Sequence, residues 1–333
     1  MGKLKIAFFI QGQNVAASRL RVLQYLPHLR ELDIEPLVTE YPKSIVSWVR
    51  MLKLLRHHDG VFFQRKRPPL FFLALIKAMR KKVIFDFDDA IMFKNSLSKN
   101  PYSLRRKMSF KRIMRFSDLV IAGNSFLREE ALRYNKNVQV LPTPINGTKY
   151  YMKPQNSGTE VILGWIGGHV SIHYLESYKE VWEEIGRRFK NVSLTIICDT
   201  FIQTNFIKIN FVPWSVETEV EELSKIDIGI MPLFEDMWSR GKCGFKIIQY
   251  LGMGIPCVCT PVGINRDIVQ DGVEGFWATT KEEWVDKISI LVQDPQLRRQ
   301  MGERGRQKVL RDYTVEVCAP KLARYIQSLF FGT

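Results

Sequence analysis

The residue types that point most directly to chemistry in this chain lie between Gly241 and Val258, in the run GKCGFKIIQYLGMGIPCV. Glycines and two lysines stand there, where an apolar strand over residues 227–233 gives way to a helix. Amide groups freed at such a junction point the same way as the positive end of the helix, and Lys242 and Lys246 add full charges beside them. The ligand this calls for is a phosphate. Lys246, Gln249, Tyr250 and Met253 recur at i, i+3, i+4 and i+7, which predicts a ligand-facing side of the helix, while Ile247, Ile248 and Leu251 predict a core-facing one. Gly254 and Pro256 end the helix, and CVCT begins a further strand.

The stretch resembles the signature of family-4 (group 1) glycosyltransferases of the GT-B fold, which use a nucleotide-sugar donor. Their pattern runs Glu, Gly-Phe-Gly, a second Glu eight positions after the first, then a small-residue run closing on Gly-x-Pro. On this chain Gly244 takes the second glycine, Gln249 the second glutamate, and Gly254 and Pro256 the closing pair, but Gly241 stands where the first glutamate belongs. The resemblance implies that the first carboxylate binds donor-sugar hydroxyls and the second binds the ribose. Gln249 keeps a carbonyl and an NH2 for a diol, whereas Gly241 offers no side chain. SRLRVLQYLP, FDFDDA, DLVIAGNSFLREEA, VLPTPI, GWIGG and TPVGINRDIVQDGVEGF follow the family's order along most of the chain.

The elements that must position these residues read as α/β. Runs KIAFFI, EPLVTE, GVFFQR, KVIFDF, DLVIAG and VQVLP alternate with helical stretches, as in a parallel sheet covered on both faces. Gly, Pro, Ser and Asn between Ile145 and Glu160 predict a linker. The alternation then restarts with VILGWIG, a helix from Tyr174 to Phe189, VSLTIIC, IKINFVPW, DIGIMPL, the motif helix, CVCTP and EGFW. A chain of 333 residues also exceeds the size at which single cores stop growing. The expected fold is two doubly wound Rossmann-like domains facing a central cleft. Residues 1–150 form an N-terminal acceptor domain, 151–314 a C-terminal nucleotide-sugar domain, and 315–333 a helix returning to the first domain, as the final helix does in GT-B proteins.

Lys246, in the first turn behind Gly244, is expected to bind the diphosphate. The family places an Arg and a Lys after the first strand of the second domain, but that loop here reads Gly167, Gly168, His169. Arg240 or Lys242 is expected to substitute. Gly167 and Gly168 predict either close backbone approach to the donor or a plain turn, His169 a polar cleft residue, and Trp214 a base-stacking or core position. With Gly244, Phe245 and Gln249 these form the expected donor set. Gly12 follows the first strand, Ser18 reads as the N-cap of the next helix, and Arg19 is placed to meet either an acceptor phosphate or a surface partner. Asp86, Asp88 and Asp89 close the fourth strand and must be balanced against mutual repulsion. Alternation puts Asp86 and Asp88 on one face, and Asp88 or Asp89 is expected near the acceptor, with Asp88 taken as the catalytic residue.

The formal net charge of +15 is unevenly spread: residues 1–150 hold 28 Lys and Arg against 11 Asp and Glu, and the remainder is close to neutral. Basic residues concentrate in SWVRMLKLLRHH, in residues 65–82 and in RRKMSFKRIMR, interleaved with apolar ones. That is the pattern of helices lying on an anionic lipid surface. No nucleic-acid module is recognisable, and a single glycine after the first strand disfavours a dinucleotide cofactor. Five cysteines without CxxC spacing suggest neither zinc nor disulfides. No membrane span or signal peptide is read, so a cytoplasmic place is expected, peripheral on the inner face of the membrane.

The expected function is transfer of a sugar from a nucleotide-diphosphate sugar to a hydroxyl acceptor, lipid-linked or membrane-proximal, in cell-envelope polysaccharide or lipopolysaccharide synthesis. Neither cofactor nor metal is expected. The resemblance implies retention of configuration. The alternatives are a nucleotide-sugar epimerase of the same fold and a non-catalytic glycan-assembly partner.

Overall fold

The computed structural model describes residues 3–154, 158–200, 202 and 207–331. Residues 155–157 of the expected linker and 332–333 of the expected returning helix lie outside the described residues. The chain divides into two compact units, the first made of Met1–Pro144, Asp236–Cys243 and Val315–Thr333, the second of Ile145–Glu235 and Gly244–Thr314.

The first unit is built on β1 (Leu4–Ile10), β2 (Ile34–Glu40), β3 (Gly60–Gln64), β4 (Lys82–Phe87), β5 (Leu119–Ala122) and β6 (Val138–Val140). All run parallel in the order β2-β1-β3-β4-β5-β6, with Ile6 level with Pro36 on one side and Gly60 on the other. Pro36 is tolerated because β2 is an edge strand. The inner strands read as unbroken apolar runs because helices cover both faces. Trp48, Met51, Leu73, Ile76, Phe110 and Ile113 bury one face, and Tyr25, Leu29, Leu322 and Ile326 bury the other. The last two come from the helix Val315–Phe331, whose Gln327 amide donates to the Leu32 carbonyl at 2.9 Å. Strand order reverses between β1 and β3, so the loops after those two strands open a crevice at the carboxyl edge.

The second unit is built on β7 (Val161–Ile166), β8 (Val192–Cys198), β9 (Lys208–Pro213), β10 (Ile228–Met231), β11 (Cys257–Cys259) and β12 (Gly275–Trp277), ordered β12-β11-β10-β7-β8-β9 and all parallel. Its reversal falls between β7 and β10, the strands that precede the Gly167 loop and the motif segment.

Three expectations are corrected. The helix from Tyr174 to Phe189 is two helices, Ile172–Glu176 and Lys179–Arg188. Between them the Ser177 hydroxyl donates to the Tyr174 carbonyl at 2.8 Å and competes with the helical ladder. The boundary near residue 150 lies at Pro144, because the Ile145 amide donates to the Tyr313 carbonyl at 3.0 Å within the second unit. Residues 236–243, expected in the second domain, belong to the first unit. The Asn124 amide holds them by donating to the carbonyls of Arg240 and Lys242 at 3.2 and 2.9 Å. The same side chain caps its own helix by accepting from the Leu127 amide. Among the described residues, no helix is long and apolar enough to cross a membrane. All five cysteines are free and buried.

Candidate active site

In the second unit the helix Phe245–Gly252 begins at Gly244, which has φ 62°. A Cβ there would meet Ile268 Cδ1 at 2.4 Å, so both backbone and packing demand glycine. No side chain caps this end and its first turn holds no acid. The first-turn amides and the helix dipole therefore favour an anion at this end. Lys246 Nζ lies 5.1 Å from the centroid of the Trp165 ring, a cation–π contact that holds the ammonium beside β7. The Tyr250 hydroxyl accepts from the Ile166 amide at 3.1 Å and ties the same helix to the end of that strand.

Gly167 and Gly168 follow immediately. A Cβ on Gly167 would stand 2.5 Å from Trp165 Cη2, whereas one on Gly168 meets nothing within 4 Å. Gly167 is thus fixed by the indole, and Gly168 faces open space. Trp165 is the residue that links the two loops, and the Trp of GWIGG at the end of a strand was its only signal in the sequence.

The two-faced reading of the motif helix is corrected. Tyr250 and Met253 are as buried as Ile247, Ile248 and Leu251, and only Phe245 and Lys246 keep partial exposure. The helix is packed all round because it fills the unit between β10 and the helix Pro295–Asp312. Gln249, expected at the ribose, is 2% exposed and its amide donates to the Tyr150 hydroxyl at 3.0 Å. That hydroxyl donates to Glu219 Oε1 at 2.5 Å, and Trp214 Nε1 donates to Glu219 Oε2 at 2.8 Å. Gln249 and Trp214 are therefore two ends of one network centred on Glu219, with the face of Trp214 partly exposed. Glu219 and Tyr150 carried no motif.

His169 is exposed and paired with Asp199 at the end of β8. Its backbone amide donates to Oδ1, and its Nδ1 lies 2.6 Å from Oδ2. The hydrogen bond from His169 holds the Asp199 carboxyl down at about 2. The pair borders the open side of Gly168.

Arg240, Lys242 and Asp88 fall in the first unit. Arg240 is exposed, and Lys242 Nζ lies 5.7 Å from the Trp238 ring centroid. Between them Gly241 is seated on Ala90: a Cβ would stand 2.5 Å from Ala90 Cβ and 2.8 Å from its backbone nitrogen. A side chain at this position would have to displace Ala90. Cys243 donates to the Asp88 carbonyl at 3.2 Å, and burial pushes its thiol up to about 12.

The three aspartates are balanced by two arginines. Asp86 is buried in a bidentate pair with Arg21, which also donates to the Leu141 carbonyl at 2.6 Å. Arg65 pairs with Asp88 and Asp89. Asp86 and Asp88 stand near enough for their charges to interact, and each is met by its own arginine. The N-cap reading of Ser18 is corrected. Val15 holds the N-cap position, and Ser18 is buried inside the helix Ala16–Arg21 with its hydroxyl accepting from the Gln11 amide at 3.2 Å. Gly12 accepts from the Val15 amide in the same loop, and Arg19 is half-buried on that helix.

The crevice of the first unit is a cleft of about 1420 Å³ whose walls include Gln11, Tyr41, Trp238, Arg65, Lys66, Arg67, Arg105, Arg106 and Arg112, with no Asp or Glu in its lining. The basic stretches 65–82 and 105–115, expected as surface-lying helices, thus turn several of their cations inward to one place. Sequence spacing could not show that two runs 40 residues apart converge.

Residues 202–308 match the family described as glycosyl transferases group 1. Over 75 residues the chain is 29% identical to N-acetyl-alpha-D-glucosaminyl L-malate synthase of Bacillus anthracis, a match spanning 22% of this chain and 20% of that protein. The whole fold is similar to that of Anabaena HepE in complex with UDP-glucose, with TM-score 0.73, 14% identity, and 98% of this chain and 100% of that one covered. It is also similar to sucrose-phosphate synthase from Thermosynechococcus elongatus, with TM-score 0.74, 13% identity, and 99% and 100% covered.

Proposed function

We propose that this chain, which carries a group 1 glycosyltransferase domain in a two-unit GT-B fold, transfers a sugar from a nucleotide-diphosphate sugar to a hydroxyl acceptor. The observation that carries the reading is the uncapped, left-handed entry at Gly244 followed by Lys246 over Trp165, at the strand-order reversal of the second unit. As the sugar–phosphate bond breaks, negative charge builds on the leaving diphosphate. First-turn amides of the helix Phe245–Gly252 and the Lys246 ammonium then stabilise it without reorganising. Open space at Gly168 admits the donor beside them. Arg240 or Lys242 is the further cation proposed for the leaving group, and unchanged diphosphate affinity in Arg240→Ala would remove Arg240 from that role.

The second unit takes the donor and the basic first unit the acceptor. Binding of UDP-glucose by the Anabaena neighbour supports a uridine nucleotide as the first donor to test. The place of work is the cytoplasmic side of an anionic membrane, in cell-envelope glycan synthesis, with retention of configuration and with neither metal nor cofactor in the transfer. Thermal shift against a panel of nucleotide sugars tests the donor half. Stabilisation by one of them but not by its free sugar is expected; no shift with any member would contradict the proposal. Turnover of donor only when an acceptor is present separates transfer from epimerisation, which no observation favours.

A further inference from the structure

The cationic cleft of the first unit asks for a ligand of its own. Arg65 enters it from the end of β3 with φ 61°, a left-handed backbone that residues with a side chain seldom adopt. Its charge is met by Asp88 and Asp89. None of the five cations beside it, Lys66, Arg67, Arg105, Arg106 and Arg112, forms an ion pair among the described residues. Arg67, Arg106 and Arg112 are half-buried, and their guanidinium groups donate, among the described residues, to the carbonyls of Ile91, Phe93 and Pro68. Arg112 Nε is buried without a hydrogen-bond partner. Burial, then the charges of Arg106 and Arg112, lowers the pKa of Arg67. Like charges are therefore held together at a cost that an anion between them would relieve.

The surroundings are apolar. The helices Ile45–Leu55, Leu70–Ala78 and Leu104–Phe116 follow β2, β3 and β4 in a parallel sheet, so all three begin at the carboxyl edge where the cleft opens. They pack side by side, with Trp48 stacked on Phe72 at 4.4 Å and Arg112 bonded to Pro68. Their first turns expose Ile45 (76%), Phe71 (67%) and Leu104 (74%), beside Val46, Leu70 and Met108. Cations gathered in a cleft with apolar residues at its mouth match an anionic headgroup whose tail stays in a membrane.

We propose that this cleft seats the phosphate or diphosphate of a lipid-linked acceptor, with the three helix starts dipping into the membrane around it. Calling this lipid the acceptor rests on the transferase reading; the binding site itself does not. The test is sedimentation of the full chain with phosphatidylcholine vesicles containing a polyprenyl diphosphate, against vesicles containing the matching polyprenol. Wild type should pellet with the diphosphate vesicles, and inorganic pyrophosphate should compete. Lys66→Gln with Arg105→Gln changes two exposed cations whose side chains make no hydrogen bond among the described residues, so the fold should stand while vesicle affinity falls about thirtyfold. Phe71→Ser with Leu104→Ser should weaken vesicle binding but leave pyrophosphate binding intact. Equal pelleting with polyprenol vesicles, or affinity unmoved by Lys66→Gln with Arg105→Gln, would overturn the proposal. A nucleoside-diphosphate thermal shift on the same samples reads the donor site separately. Its loss with vesicle binding intact would sink the transferase reading alone.

Discussion

Gly241→Ala tests how closely this turn is seated on Ala90. The residue has φ −81° and ψ −4°, a conformation alanine accepts, so on backbone entropy alone the change should stabilise by about 0.4–1 kcal/mol. Against this, the new Cβ would sit 2.5 Å from Ala90 Cβ and 2.8 Å from the Ala90 nitrogen, and Ala90 is fully buried. Because the obstacle is partly backbone, the segment must shift, at an overpacking cost of about 1–3 kcal/mol. The upper part of that range applies here, leaving a net loss of about 2 kcal/mol, or about 4–8 °C in the melting of a unit this size. Calorimetry of the variant reads it. Gly168→Ala, with nothing within 4 Å of the added carbon, should stay within about 0.5 kcal/mol of wild type. Ala90→Gly in the Gly241→Ala background should recover part of the loss, since the two sites share one contact. A Gly241→Ala protein as stable as wild type would refute the reasoning, and so would a Gly241→Glu protein that is both stable and more active.

Lys246→Met should lower transfer turnover by about 10²–10³, as expected when a preorganised donor to a developing charge is removed, and should weaken nucleoside-diphosphate binding measured by calorimetry. Tyr150→Phe leaves the Gln249 amide and one oxygen of Glu219 without their shared partner, and should cost about 1–3 kcal/mol of stability in denaturant titration. Asp199 is held at about 2, below its ordinary 3.8, by the bond from His169. Its contribution to stability is therefore complete above about pH 4 and is lost as pH falls toward 2. Both partners are more than half exposed, so the contribution is small. Carboxyl NMR should show the low midpoint in wild type and a higher one in His169→Ala, which keeps the backbone amide bond but loses the ring. Turnover should be unaffected by EDTA.

Much of the fold was legible. Parallel strands buried on both faces leave unbroken apolar runs such as KIAFFI and VSLTIIC, and each expected strand is present. Gly244 before a helix was also legible, because a left-handed entry demands glycine whatever the partners. What the sequence concealed was which neighbours fix each residue. Periodicity placed Gln249 and Tyr250 on a ligand side, but a helix packed all round has no such side, and only the structure supplies Tyr150 and the Ile166 amide as their partners. Alternation could not show that Asp86 and Asp88 draw on different arginines, Arg21 and Arg65. The seating of residues 236–243 on the first unit draws on Asn124, 116 residues away from Arg240, and on Asp88 and Ala90, separations no local pattern reveals.

The most direct test of the central claim is a crystal structure of the protein soaked with UDP. The diphosphate should lie against the amides of Gly244, Phe245 and Lys246 and on the open side of Gly168, within reach of Lys246 Nζ. A diphosphate bound elsewhere, or density absent from that junction at saturating nucleotide, would contradict the account.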